Sequence, residues 1–344
     1  MASISRLWRR RPTVNLALQG GGAHGAFTWG VLDYLLQDGR HRFEGASGTS
    51  AGAMNAVVLA HGLMQGGPDG ARQALADFWT AVANSVPFDL VTRSIDGKDF
   101  RVSPAVNFLL DLTRYFSPSQ LNPFDLNPLR DVIEAQIDFE RLRVDSPLKL
   151  FVAATHANNG TVRIFKNAEL SADAVLASAC LPTIHHAIDI GGEPYWDGGY
   201  SANPAIYPLF YECTSPDILL VLLSPNKLGD KPQSAREIQA RAVDIAFNSA
   251  FRREMAMITR AREYAGASPL RLGRLERRLH KLRFHLIEAE RHMRTLPYES
   301  KLAAHLPFFE SLRDKGRERA RRWLRSTHAD VGRKSSLNLA SVFG

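Results

Sequence analysis

Ser50 sits in the pattern Gly48-Thr49-Ser50-Ala51-Gly52, and Gly20-Gly21-Gly22-Ala23-His24-Gly25 forms a second glycine-rich turn upstream of it. In a G-x-S-x-G turn the small flanking residues permit a sharp strand-to-helix bend, which holds the serine hydroxyl clear of its own backbone. Such a hydroxyl attacks an ester carbonyl when a base takes its proton and N–H donors stabilise the oxygen that becomes negative. The Ala51 amide, at the start of the next helix, is one natural donor, because the first N–H groups of a helix are unpaired. The Gly20, Gly21 and Gly22 amides are the others, since residues without a Cβ let the backbone come close to a substrate. Acyl-ester hydrolysis with Ser50 as nucleophile is the chemistry this constellation predicts. G-x-S-x-G alone recurs in many unrelated chains, and its weight here comes from standing between an apolar run and an Ala-rich one.

The base must come from elsewhere in the chain. A Ser-Asp-His order would place a histidine beyond the acid. His185 and His186 instead precede Asp197, and His280, His285, His292, His305 and His328 fall among basic residues that read as a solvated face. Asp197, followed by Gly198 and Gly199 after an aromatic strand end, is the better partner. A carboxylate with an ordinary pKa of about 4 is a weak base for a serine, so burial of Asp197 is expected to raise its basicity. No spacing of His, Cys, Asp and Glu suggests a metal cluster, and hydrolysis by this route calls for no cofactor.

Taken in order, the two glycine turns and Asp197-Gly198-Gly199 resemble the three signature blocks of the patatin-like phospholipase family. The resemblance takes in Ala177-Ser178-Ala179-Cys180-Leu181-Pro182 and runs from about Asn15 to Leu223, more than half of the chain. It implies a dyad of Ser50 and Asp197 that works without histidine. Gly25, Gly48, Gly52, Gly198 and Gly199 would shape the turns around it. It also implies a three-layer α/β/α fold and a lipid acyl ester as substrate, hydrolysed in the manner of a phospholipase A. His24 stands where that family commonly has Arg or Lys, which leaves the glycine turn without a fixed positive charge of its own.

The elements that must position these residues follow from apolar periodicity. Thr13 to Leu18 reads as a buried strand entering the first glycine turn, with an amphipathic helix through Trp29, Val31, Leu32, Leu35 and Leu36 behind it. Phe43 to Ser47 is a second strand leading to Ser50, and Ala51 to Met64 reads as a buried helix. This βαβα start predicts an α/β fold with a mainly parallel central sheet covered by helices. Asn127-Pro128 is an N-cap and first-turn signal for a helix. Asn158-Asn159-Gly160 and Gly191-Gly192 read as hairpin turns, and Asp217 to Leu223 as a buried strand. The proposed organisation is an acyl-hydrolase domain over 13–225, with a lid within 92–147, and a basic helical C-terminal extension over 232–330.

Composition narrows the partners. The chain of 344 residues has a formal net charge of +8, but residues 251–344 carry +12 and the first 250 carry −4. Leu275, Leu279, Leu282 and Leu286 recur at helical spacing among Arg274, Arg277, Arg278, Lys281 and Arg283. That pattern predicts a cationic amphipathic helix suited to peripheral contact with an anionic membrane. The basic segment has no nucleic-acid motif or interleaved aromatics. With only Cys180 and Cys213, no secretory signal pattern and no apolar run of bilayer length, cytoplasmic residence is the default expectation.

Two other readings compete. Gly20, Gly22 and Gly25 also satisfy a dinucleotide fingerprint, with Glu44 near the spacing of a ribose-binding acid, as in a Rossmann oxidoreductase. The fold could also persist as a lipid-binding or regulatory module without hydrolysis. The first leaves the serine turn and Asp197-Gly198-Gly199 unexplained, and the second leaves a full set of catalytic residue types unused.

Overall fold

A computed structural model of the chain describes residues 11–85, 91–93, 100–102, 112, 115–225, 231–267, 273–294 and 296–344. Strand β1 (Thr13–Leu18) passes through the glycine turn into helix α1 (Gly25–Asp38), and β2 (Arg42–Thr49) passes through Ser50 into α2 (Ala51–Asn84). The predicted βαβα start is therefore present. Helix α2 extends past Met64 because two helices meet there: Gly66 and Gly67 leave helical geometry, Gly67 at φ 62°, and Pro68 begins the second. A proline tolerates the first turn of a helix, where its missing N–H would be unpaired anyway.

Two short strands, β3 (Val91–Arg93) and β4 (Phe100–Val102), pair antiparallel apart from the main sheet. Helix α3 (Pro128–Gln136) starts at Asn127 and Pro128 as the sequence signal requires, and α4 (Phe139–Asp145) follows it. Of the expected lid, residues 94–99, 103–111 and 113–114 lie outside the described residues. Strands β5 (Lys149–His156) and β6 (Val162–Lys166) then form a hairpin whose turn has Gly160 at φ 72°. Helix α5 (Ala172–Ser178) leads to a second hairpin, β7 (Ile188–Ile190) and β8 (Glu193–Asp197), turned by Gly191 and Gly192 at φ 66° and 82°. Left-handed φ at both central residues suits a tight two-residue hairpin and favours glycine. A short helix, α6 (Tyr207–Glu212), precedes β9 (Asp217–Leu222).

The central sheet has the order β10-β9-β1-β2-β5-β8-β7, where β10 is Arg283–Glu288, with β6 also on β5. From β10 to β5 every pairing is parallel, and the pairings of β5 with β6 and β8, and of β8 with β7, are antiparallel. Because side chains alternate across a strand, each strand feeds two cores. Leu16, Leu18, Leu150, Val152, Leu219 and Val221 face the layer that holds α1 and α2. Ala17, Phe151, Ala153, Ile218, Leu220 and Leu222 face the opposite layer with Phe210 and Phe251. This is the three-layer α/β/α architecture that the resemblance implies, built on the covered, mainly parallel sheet expected from the strand pattern.

The C-terminal region departs from the predicted leucine-striped helix. Helix α7 (Ala235–Ala267) is followed by a short α8 (Arg274–Lys281), and then Arg283–Glu288 forms β10 at the sheet edge, parallel to β9. Leu282, Phe284 and Ile287 are buried, so the leucines that suggested one amphipathic helix divide between a helix and a strand. Arg-Phe-His-Leu-Ile-Glu alternates with period two as readily as it completes a helical stripe, and an open sheet edge beside β9 decides between them. Helix α9 (Leu306–Thr327) buries Phe308, Phe309, Leu312 and Trp323, and lies on α1. A last short helix, α10 (Leu339–Phe343), closes the layer beneath α7. Among the described residues no helix is long and apolar enough to cross a membrane.

Candidate active site

Ser50 follows β2 directly and caps α2 at φ 54° and ψ −127°. Positive φ in a residue with a side chain costs about 1–3 kcal/mol and persists only where the surroundings enforce it. Glycines enforce it here. A Cβ on Gly48 would come within about 2.5 Å of the Gly52 backbone, one on Gly52 would overlap the Leu18 carbonyl, and one on Gly25 would come 2.5 Å from the Ala51 Cβ. The two glycine motifs are thus parts of one packed junction rather than separate loops. Ser178 Oγ accepts the Ser50 N–H at 2.9 Å and is itself fully buried. Ser178 lies in the stretch that extended the sequence resemblance, but no local signal marked it as the support of the nucleophile's backbone. In a Ser178→Ala variant the Ser50 amide loses its acceptor. Stability should fall by about 1–3 kcal/mol, read by urea denaturation, with a drop in kcat larger than any change in KM. A kcat equal to that of the parent would show that the turn holds without Ser178.

Asp197 reaches Ser50 through strand registry. Strand β5 pairs with β2 over residues 149–153 and with β6 over 151–155, so these two strands flank it on opposite sides. Strand β8 pairs with β5 at residues 154–156, where β6 already occupies one side; it therefore takes the side along which β2 has just ended. Thr49 lies opposite Ala153 and Asp197 opposite Ala154, which brings the end of β8 beside the end of β2. Gly198 then crosses the Ala153 carbonyl at a distance that excludes any side chain. Thr155 Oγ1 donates to the Asp197 carbonyl oxygen at 2.8 Å, and Thr49 Oγ1 donates to the Ala202 carbonyl at 2.6 Å.

The carboxyl of Asp197 is buried, accepts the Gly199 N–H at 2.7 Å and stands close enough to the Ser50 side chain for that hydroxyl to favour its ionised form. Burial raises its pKa to about 7, against the opposing effects of the Gly199 N–H and the Ser50 hydroxyl. Above the two residues opens a cavity of about 610 Å3. Its base includes Gly20, Gly21, Gly22, Ser50, Ala51 and Asp197, and its walls include Phe78, Trp79, Leu129, Ile184 and Phe309. The C-terminal region supplies one side through residues 239–248 and 298–304, a contribution that no motif announced.

The predicted N–H donors divide into two groups. The Gly20 amide is already spent on Asn203 Oδ1 at 2.7 Å, so it is unavailable to an oxyanion, which corrects its assignment as a donor. Gly20 instead permits close approach, since a Cβ there would lie 2.8 Å from that of Ser50. Among the described residues no acceptor occupies the N–H groups of Gly21, Gly22 or Ala51.

His24 is buried, and its Nε2 lies 2.8 Å from Ser300 Oγ. Ser300 donates its own proton to the Pro297 carbonyl at 2.6 Å, so His24 must be the donor to it. Burial, helped by the charge of Lys301, lowers the His24 pKa to about 3. It is a neutral strut between the glycine turn and the C-terminal region. His185 lines the cavity, its pKa lowered by burial, while His186 Nε2 donates to the Asn122 carbonyl at 3.0 Å. Cys180 and Cys213 are buried, and burial pushes each thiol up to about 12.

The Rossmann reading loses its acid. Glu44 lies near the start of β2, at the end of the strand away from the glycine turn, and accepts the N–H groups of Thr214 and Ser215 at 2.7 and 2.8 Å. It ties two strand ends together and cannot meet a ribose at Gly20–Gly25.

Among curated proteins no match was found. Among solved structures, VipD from Legionella pneumophila aligns at 14% identity and TM-score 0.36, over 89% of this chain and 67% of that one. The ExoU–SpcU complex from the type III secretion system of Pseudomonas aeruginosa aligns at 16% identity and TM-score 0.33, over 92% of this chain. This chain spans about half, 53%, of the length of that one. The family of patatin-like phospholipases matches residues 16–210. Since that match takes in more than half of the chain and both glycine motifs and Asp197, this protein belongs to the patatin-like phospholipase family of lipid hydrolases.

Proposed function

We propose that the protein is a serine acyl-ester hydrolase in which Ser50 is the nucleophile and Asp197 the general base. One observation carries this reading: Ser50 and Asp197 stand together at the foot of one apolar cavity, close enough for the Ser50 hydroxyl to act on the Asp197 carboxyl, beside Gly21, Gly22 and Ala51, whose N–H groups have no acceptor among the described residues. Ser50 Oγ attacks the ester carbonyl carbon as its proton passes to Asp197, and the carbonyl oxygen takes up the negative charge beside the Gly21, Gly22 and Ala51 amides. Collapse breaks the bond to the alcohol, which leaves with the proton from Asp197, and an acyl-Ser50 ester remains. Water then gives a proton to the same carboxylate, attacks the acyl carbon, and releases the fatty acid as Ser50 recovers its proton. A phospholipase A reaction, with an acyl chain in the apolar cavity, fits this geometry.

The test is release of product from a chromogenic acyl ester by the full chain, compared with Ser50→Ala and Asp197→Asn variants of verified fold. Full activity in either variant rejects the dyad. A second check is the pH profile. With its pKa raised to about 7, Asp197 serves as a base only when deprotonated, so kcat/KM should climb through neutral pH and level off above it. A profile already flat from pH 5 upward would mean that another group takes the proton.

Basic residues of the C-terminal helices are proposed to favour peripheral contact with anionic membranes. With Leu282 buried and Leu286 in β10, charge rather than an apolar face is the basis for it.

A further inference from the structure

The cavity wall supplied by the C-terminal region carries a group that ester hydrolysis by Ser50 and Asp197 does not use. Lys301 is the one lysine or arginine among the described residues that line the cavity, where the other charged groups include Asp197, Asp244 and Glu299. Its backbone carbonyl packs so closely on Gly22 that any side chain there would overlap it, so Lys301 is attached to the glycine turn itself. Lys301 Nζ donates to Asp244 Oδ1 at 2.6 Å and stands 4.5 Å from the centre of the Tyr298 ring. The side chain is 26% exposed. An ammonium has three donors, and Asp244 takes one of them. His24, the nearest basic residue of the turn, is neutral and directed at Ser300. The positive charge at this edge of the cavity therefore comes from outside the signature motifs.

We infer that Lys301 is a specificity-determining residue that receives the phosphate of a glycerophospholipid whose acyl ester lies at Ser50, with Asp244 as the positioning residue that holds the ammonium in place. The inference rests on the hydrolase reading above and adds to that same site the residue that selects among its substrates. A neutral glyceride presents no anion to this ammonium, whereas a phosphodiester lies only a few bonds from the scissile ester. The ion pair and the Tyr298 ring hold the side chain in advance of binding, so little side-chain freedom is lost when a phosphate arrives.

The experiment compares phosphatidylcholine with diacylglycerol of the same acyl chains, both in neutral detergent micelles, using the full chain. Lys301→Gln should lower kcat/KM for phosphatidylcholine about tenfold more than for diacylglycerol, mainly through KM, as loss of a charge-assisted hydrogen bond predicts. Lys301→Arg should restore most of the difference, and Asp244→Asn should reproduce part of it. An unchanged ratio of the two substrates in Lys301→Gln overturns the proposal, because a merely structural role at Gly22 would impair both alike. So does a parent enzyme that hydrolyses diacylglycerol and spares phosphatidylcholine. If the ammonium instead holds the carboxylate of the released fatty acid, Lys301→Gln will relieve inhibition by added oleate with no change in the substrate ratio, which also counts against it. Ser50→Ala run in parallel separates the two levels: activity surviving there removes the hydrolase reading and this inference together. Activity lost there with an unchanged ratio in Lys301→Gln removes only the inference.

Discussion

Asp197→Asn should abolish ester hydrolysis and at the same time stabilise the fold at alkaline pH. The catalytic part follows from the proposed role of Asp197 beside Ser50: loss of a general base lowers kcat by about 10^2 to 10^4-fold, and Ser50→Ala, which removes the nucleophile, should be at least as severe. Combining the two should cost little more than either alone, because residues acting as one unit are not additive. The stability part follows from the direction of the pKa shift. Burial raises the Asp197 pKa to about 7 in the folded protein, against about 3.9 in an unfolded chain. The folded state thus binds this proton more tightly. Its contribution to stability is complete below the unfolded value and is lost as pH rises through the folded one. At pH 8 the fold carries an ionised, buried carboxylate at a cost on the order of 4 kcal/mol. Asparagine keeps an oxygen for the Gly199 N–H, which now lies 2.7 Å from Oδ1, and has no charge to bury. The urea midpoint of Asp197→Asn should therefore exceed that of the parent at pH 8, with the gap closing towards pH 4. A midpoint difference that does not vary with pH would contradict the assigned burial cost, whatever the activity does. Functional sites are commonly held against the stability optimum in this way.

Bulky residues at Gly30 or Gly316 should produce the largest loss of stability. Helices α1 and α9 cross so closely that a Cβ on Gly30 would overlap the Arg313 carbonyl, and one on Gly316 would overlap the Phe27 carbonyl. In both cases the obstacle is backbone, which cannot swing aside as a side chain can. Two effects compete for an alanine at these positions. Glycine is disfavoured within a helix by about 1 kcal/mol relative to alanine, whereas forcing extra volume into a packed interior costs about 1–3 kcal/mol, occasionally more. Clash with a carbonyl places these sites at the upper end of that range, so the crossing prevails. Gly316→Leu should lower stability by about 3 kcal/mol or more, measured by urea denaturation. Trp29 under the Arg313 guanidinium, 5.1 Å away, and the Asp33 pairing with Arg317 would be disturbed together. Unchanged midpoints in both Gly30→Leu and Gly316→Leu would show that the two helices are not packed as described. Activity should decline with the population of folded protein, because α9 also carries Phe309 into the cavity.

Local signals and long-range geometry contributed different parts of this site. The strands entering both glycine turns, the helices leaving them, and the hairpins at Asn158–Gly160 and Gly191–Gly192 were legible because each depends on neighbours within a few residues. Apolar periodicity specifies a buried face, and glycines specify turns that other residues adopt only with strain. The same signals identified Ser50 and Asp197 as candidates, yet their meeting depends on β8 occupying the side of β5 that β2 vacates, a matter of registry between distant strands. Gly20 was assigned as a donor on its lack of a side chain, and only Asn203, 183 residues away, determines where its N–H points. The leucine pattern through Leu275 to Leu286 suits a helix locally, but the unpaired edge of β9 offers a full ladder of hydrogen bonds to a strand at Arg283–Glu288. Lys301 had no local signature at all. Periodicity and turn chemistry are properties of adjacent residues and can be read along the chain, whereas a proton acceptor, an occupied amide or a cation in a cavity wall exists only once separate segments are packed against one another.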